Sequence, residues 1–468
     1  MDETTTTLLP DTDPALAARE RRLSLVILWY GADPSRVGEA LLCPAGDRGV
    51  VGRGRGGTGD PGVRLLPHRM RPGRTQRRGP LADRALSRVH WVLHTEEDGH
   101  ALSVQAVGRR PTLLNGQPIS DAVVRPGHQL HIPGVLLVRV ERREDPLPPL
   151  RPGLAYPDHP FGQADAFGIV GESPAAWALR ERLAFVAGRP GHVLVLGPSG
   201  AGKELAARAI HALSRRADGP WVARNAATLP DGLVDAELFG HVKNYPDHGM
   251  PARPGLVGQA DGGTLFLDEI AELPASSQTH LLRVLDDGEY QRLGSGRSSR
   301  SDLRVVGATN RDISLLKHDL AARLLQRVHL AGLEERVCDV PLIAAHLFGR
   351  MAAEDPVLDA FMTEGHPRFA SALVERLIRD LAQDQVRGVQ RALIEAAGAS
   401  RGTLLQPATP DLPREDDPAE PVEEPDADTV RAALDAEDWV VSRAWSRLGL
   451  RNRYQLYRLI RRYGLERG

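Results

Sequence analysis

One short run constrains this chain more than any other: His-Val-Leu-Val-Leu-Gly-Pro-Ser-Gly-Ala-Gly-Lys-Glu, residues 192–204. Four apolar residues read as a buried strand, and Gly197, Gly200 and Gly202 then let the backbone curl so that its N–H groups converge. A helix follows, and its N-terminus adds partial positive charge. Such a strand–loop–helix demands a parallel α/β sheet and binds phosphate, with Lys203 reaching the β- and γ-phosphates. Of the 59 basic residues only Lys203, Lys243 and Lys317 are lysines. A compact ammonium at this position is therefore informative in so arginine-rich a chain. Glu204 stands where a hydroxyl would usually face Mg²⁺.

Further on, GGTLFLDEI ends a second apolar strand in Asp268-Glu269. A carboxylate at that strand end is placed to hold Mg²⁺ through water, and Glu269 to orient an attacking water. The ordered pair of motifs implies ATP and Mg²⁺ as cofactors.

At 468 residues the chain has room for several domains. Residues 1–20 are polar and read as a flexible tail. Residues 21–143 carry short β-type runs (LSLVILWY, HWVLH, ALSVQAV, VLLVRV) spaced as in a sandwich. A proline-rich linker covers 144–166, an α/β domain 167–346 and a helical lid 347–404. Residues 405–427, rich in Pro, Asp and Glu, read as a self-repelling linker. Residues 428–468 form a small all-α unit.

Two cysteines cannot build a disulfide framework and point to a reducing, cytoplasmic setting. No apolar run approaches the about 20 residues of a membrane span, so no membrane partner is expected.

Residues 167–400 resemble the AAA+ central domain of sigma-54-dependent transcription activators, in which the phosphate loop also ends Gly-Lys-Glu. The resemblance assigns nucleotide-state coupling to Asn225 in WVARNAA, a sensor role to Thr309 and Asn310 in VVGATNRD, and a second sensor role to Arg387 of the lid. AELFGH at 236–241 and Lys243 match the segment before the family's surface loop.

Two departures accompany these matches. Where the family carries GAFTGA for sigma-54, this chain has Asn244-Tyr245-Pro246-Asp247-His248-Gly249. Where it carries two trans-acting arginines six apart, this chain has Lys317 and Arg323. Lysine keeps the charge but lacks the planar fork that grips phosphate oxygens.

VVGRGRGG, LSRVH, PTLLNGQPI and RPGHQLHI follow in order through the N-terminal region. They resemble a forkhead-associated (FHA) domain, a β-sandwich that reads phosphothreonine. Arg53, Ser87 and Arg88 would hold the phosphate and His90 would brace the loop. Asn115-Gly116 is a hairpin-turn signal. Arg110 replaces the family's peptide-contacting asparagine. Thr4–Thr7, on the tail, offer a phosphorylated ligand from the chain itself as an alternative to a partner phosphoprotein.

The last residues read as three helices, near 428–436 with Asp428 or Thr429 as cap, near 439–447, and over about 452–463. From Trp439 onward eight arginines face only Glu466, a field that attracts phosphate backbones. The unit resembles a Fis-type helix-turn-helix. Asn452, Arg453 and Gln455 would reach base edges, Arg451, Arg458 and Arg461 the DNA backbone, and Leu456 and Ile460 the core.

The combined expectation is a multidomain regulator: an FHA-like sandwich, a P-loop AAA+ domain with helical lid, and a small helix-turn-helix. It would bind ATP and DNA, form a homo-oligomeric ring in which Arg323 completes a neighbour's site, and contact RNA polymerase holoenzyme. The alternative is a degenerate, non-remodelling regulator or phosphoprotein-binding scaffold that binds ATP without productive hydrolysis.

Overall fold

The computed structural model describes residues 21–57, 59–230, 232–380, 385–408 and 425–436, with Trp439, Ala444, Trp445, Arg447, Leu448, Leu456, Leu459, Ile460 and Tyr463. Short apolar runs in the first part fold into two facing sheets. One has eight strands, ordered Gln117–Ile119, Thr112–Leu114, Gln129–Ile132, Leu136–Glu144, Arg21–Tyr30, Ala40–Leu42, Pro67–Arg71, Arg74–Arg77. The other has five, ordered Asp121–Val124, Leu102–Ala106, Trp91–Thr95, Arg48–Val51, Val63–Arg64. Leu25, Ile27, Trp91, Leu93 and Val138 fill the space between them. Asn115 and Gly116, at φ 49° and 89°, make the expected two-residue turn between Thr112–Leu114 and Gln117–Ile119.

The second part is a five-stranded, wholly parallel sheet. Its order is Trp221–Asn225, Thr264–Asp268, Arg304–Thr309, Val193–Leu196, Gln326–His329. The phosphate-loop strand is thus interior, between Arg304–Thr309 and Gln326–His329, and one strand removed from Thr264–Asp268. In parallel α/β sheets ligands bind outside the carboxyl ends of the strands, and both motifs lie there.

The lid differs in detail from expectation. The helix Val340–Glu354 crosses the expected boundary at 346/347, beginning where Asp339 and Pro341 start a helix. Between it and the helices Ser371–Arg379 and Gln385–Ala399 lies a small hairpin, Met362–Thr363 with His366–Pro367. Only helices were expected there; Glu364 and Gly365, both at positive φ, supply a tight turn.

The largest difference concerns the linker. Residues 145–173 have no regular element but are bound on both sides. Arg71 of the sandwich grips Glu172 through Nε (3.1 Å) and Nη2 (2.6 Å) and donates from Nη1 to the His159 carbonyl (2.7 Å). Arg180, fully buried, donates to Asp165 Oδ2 and to the carbonyls of Gly171 and Ile169. Beyond the strap, sandwich and lid share one core in which Val26, Leu28, Met70 and Leu137 pack with Phe348, Leu373 and Leu377. Trp29 Nε1 donates to the Phe369 carbonyl at 2.8 Å.

At the C-terminal end, the helix Ala427–Ala436 lies close to where the first of three was expected. Its cap is Asp426, whose Oδ1 accepts from Thr429 N at 2.8 Å, rather than Asp428 or Thr429. Val430, Leu434, Ala444, Leu456 and Leu459 form a separate small core, with Ile460 packed against it. Among the described residues no helix is long and apolar enough to cross a membrane.

Candidate functional site

The phosphate loop joins Val193–Leu196 to the helix Lys203–Ala212 through Gly200 (φ 77°) and Gly202 (φ 96°), backbone that only glycine adopts without cost. Gly197 matters for space instead, because an added Cβ would come 2.9 Å from Leu330 Cβ. Lys203 is buried; its Nζ donates to the carbonyls of Gly197 and Pro198, both at 3.3 Å, and lies 3.8 Å from Glu269 Oε1. A buried ammonium held mainly by neutral carbonyls suits an added phosphate. Glu204 turns away to pair with Arg208 at 2.9 Å, one helical turn on.

Asp268 ends its strand, and burial is the chief cause that raises its pKa; Lys203 pulls the other way and Glu269 adds to the rise. Glu269 sits at φ 50°, ψ 46°, a left-handed conformation that a glutamate adopts only at a cost. That conformation turns its Oε2 toward the amide of Asn310 (3.3 Å) and Thr309 Oγ1 (3.5 Å). Arg387 reaches across from the lid to Ser199 Oγ at 3.4 Å. Lys203, Asp268, Glu269, Thr309, Asn310 and Arg387 thus converge. Two carboxylates beside a buried ammonium and a glycine cradle fit a magnesium–nucleotide complex.

Other expected residues are engaged elsewhere. Asn225 lies beside Asp268 in register, but its Oδ1 accepts from Ala227 N at 2.9 Å rather than touching Glu269. Arg323 pairs within its own chain with Asp286 at 2.8 Å, and Lys317 Nζ donates to Thr279 Oγ1 at 2.6 Å. Segment 244–249 closes on itself: Asn244 Oδ1 accepts from Gly249 N, and the Asn244 amide donates to Met250 O, both at 2.9 Å.

Sequence reasoning missed Arg336. It is buried, it lines a slot of about 150 Å³ with Gly200, Ala201 and Gly202, its Nη2 donates to the Ala201 carbonyl at 3.4 Å, and its Nε finds no partner among the described residues. A single arginine in an arginine-rich chain carries no local signal.

In the sandwich, Arg53 N donates to the Ser87 carbonyl at 2.9 Å, and Ser87 Oγ accepts from Arg109 N at 3.0 Å. Buried His90 accepts from Ser87 N at 3.4 Å through Nδ1, and its ring lies against Gly108 so closely that a Cβ there would meet it at 2.3 Å. The loops carrying Arg53 and Ser87 are therefore joined. The Arg88 carbonyl accepts from Arg64, and Arg88 is exposed. Arg451, Asn452, Arg453, Gln455, Arg458 and Arg461 lie outside the described residues.

Comparison with known proteins places this geometry. The profile of the Sigma-54 interaction domain matches residues 169–334. The Nif-specific regulatory protein of Azotobacter vinelandii is 35% identical over 306 residues, covering 62% of this chain and 58% of its own length. NtrC of Azospirillum brasilense is 36% identical over 293 residues, covering 58% and 57%. The chain thus spans a little under three fifths of those two relatives. ZraR of Escherichia coli K12 is 34% identical over 313 residues, covering 64% of this chain and 70% of ZraR.

Proposed function

The chain belongs to the sigma-54-dependent transcription activators, and from that premise we propose that it is an ATP- and DNA-binding regulator whose AAA+ domain couples hydrolysis to contact with the transcription machinery. The observation that carries this is the meeting of Lys203 with Asp268 and Glu269 at the carboxyl edge of the parallel sheet.

In this reading Lys203 exchanges its carbonyl contacts for the β- and γ-phosphates, and the loop amides hold the phosphate oxygens. Asp268 would hold Mg²⁺ through water, and the ion would supply charge neutralisation at the phosphates. Glu269 orients the attacking water, with its carboxylate fixed by Asn310 and Thr309. Arg387 reports phosphate occupancy to the lid, and Arg336 closes the inner side of the slot. Arg323 leaves Asp286 to complete a neighbouring subunit's site in a ring.

Arg53, Ser87 and Arg88 are proposed to take a phosphothreonine, from a partner or from Thr4–Thr7 of the tail. The C-terminal unit is proposed to hold DNA through Arg451, Asn452, Arg453, Gln455, Arg458 and Arg461.

A second reading has two features in its favour: the Asn244–Gly249 sequence in place of GAFTGA, and Lys317 in place of an arginine. In it ATP is bound but not turned over productively, and the protein acts by DNA occupancy or phosphoprotein capture. Steady-state hydrolysis measured against protein concentration decides between them. Hydrolysis that rises with concentration and vanishes in Glu269→Gln supports the motor; ATP binding without hydrolysis in the wild type supports the second reading.

A further inference from the structure

At the opposite end of the parallel sheet from the phosphate loop lies a cavity of about 630 Å³. The turn 187–192, residues 214–216, Gly262 and the start of the strand Arg304–Thr309 line it. Arg189, Arg215, Arg216 and Arg304 face it, and its one acid among the described residues, Asp302, is already taken by Arg216 at 2.5 Å. Arg304 is buried and spends its donors on the neutral carbonyls of Gly191, Ala187 and Val186. Its charge therefore has no carboxylate partner there, and buried charges ordinarily have one. Burial first, then the neighbouring Arg216, pulls its pKa down to about 10.

The positive surface continues past the cavity. Arg189, Arg182 and Arg151 surround the Phe185 ring, with guanidinium carbons 3.3, 5.3 and 5.4 Å from its centroid. Glu181, the acid nearby, pairs with Arg151 at 3.3 Å. Among the described residues, six arginines and one aromatic ring stand against two engaged acids, Asp302 and Glu181, which describes a track rather than a pocket for one ion.

We propose that this track, from Arg151 and Arg189 to Arg215 and Arg304, is a second, sequence-independent contact for the phosphate backbone of duplex DNA. The proposal rests on the DNA-binding reading of the C-terminal unit, which would hold the duplex at high local concentration. Planar guanidinium forks suit phosphate oxygens, and glycines 188, 191 and 262 keep the cavity floor free of side chains.

The test is anisotropy titration of the full chain with a random-sequence duplex between about 50 and 200 mM salt. Wild type is compared with the double variant Arg189→Gln/Arg215→Gln, whose exposed side chains leave Arg304 and its carbonyls in place. Each phosphate contact adds about 0.9 to the magnitude of the log–log slope, so the double variant should lose about 1.8. DNA should also protect Arg189 and Arg215 of the wild type from phenylglyoxal. An unchanged slope with no protection overturns the proposal, including the case in which the chain's own acidic segment 411–426 occupies the track. Wild type that binds no DNA at all overturns the DNA-binding reading as well. Loss of sequence preference in Arg453→Ala/Arg458→Ala, with the track's share of the slope retained, separates the two contacts.

Discussion

Asp268 illustrates how a single residue sets stability against activity. Its folded pKa is raised, chiefly by burial. A carboxyl of this kind favours folding when protonated, below its unfolded pKa, and that contribution is lost as pH rises through the folded value. Asp268→Asn should therefore unfold at a higher temperature than wild type at pH 7, with the gap closing near pH 4; calorimetry at both pH values checks this. The same variant should lose Mg²⁺-dependent nucleotide binding. Arg323 gives a second expectation. With Asp286 holding it inside its own subunit at 2.8 Å, Asp286→Asn should raise concentration-dependent hydrolysis, whereas Arg323→Ala should lower it by about 10³-fold or more. Equal rates in Asp286→Asn and wild type would show that the pair does not restrain the finger. At this scale much was legible in sequence, because Gly197–Lys203 and Asp268–Glu269 act through local backbone geometry. The partner of Arg336, the Ala201 carbonyl, depends on which loops become neighbours, and no local pattern encodes that.

Between elements, Asp339 joins two helix starts. Its Oδ1 accepts from the amides of Glu172 (2.8 Å) and Ser173 (2.9 Å), and Oδ2 accepts from Ser173 Oγ at 2.5 Å. Ser173 Oγ in turn accepts from Ala176 N at 3.1 Å and so caps the helix Pro174–Ala187. One carboxylate thereby ties the start of the lid helix to the start of the first α/β helix. Gly171, at φ 142°, is required beside it, since a Cβ would lie 2.6 Å from Asp339 Oδ2. Asp339→Ala leaves two buried amides and the Ser173 hydroxyl proton without an acceptor and should cost about 2–4 kcal/mol, read from urea unfolding. Asp339→Asn, which keeps an acceptor oxygen, should cost less. The sandwich strands were readable from short β-type runs at regular spacing and from the Asn115-Gly116 turn. The hairpin at Met362–Pro367 was not, because two-residue strands have no period to detect.

Across the whole molecule, the sandwich and the lid are joined by a shared apolar core and by Trp29. Sequence divides the chain at 144–166 by its prolines, yet side chains of that strap and of both flanking parts bury one another. Composition detects a proline-rich run but not the surfaces it packs between. The lid also carries Arg387, which touches the phosphate loop through Ser199. On the proposed reading, a change at the sandwich face would alter how firmly the lid closes over nucleotide. Trp29→Ala removes the bond to the Phe369 carbonyl and part of the packing around it. It should cost about 2–4 kcal/mol, below the upper range for a large core residue because Trp29 is only half-buried. If the parts act as one body, heating should unfold wild-type sandwich and lid in a single transition, and Trp29→Ala should split it. ATP affinity should then fall in Trp29→Ala although no nucleotide contact has changed, while Arg22→Ala, at the far end of the same strand, should leave it intact. A split transition with unchanged ATP affinity would mean that the sandwich steadies the lid without governing the site. A single transition in both proteins would mean that the shared core does not depend on Trp29.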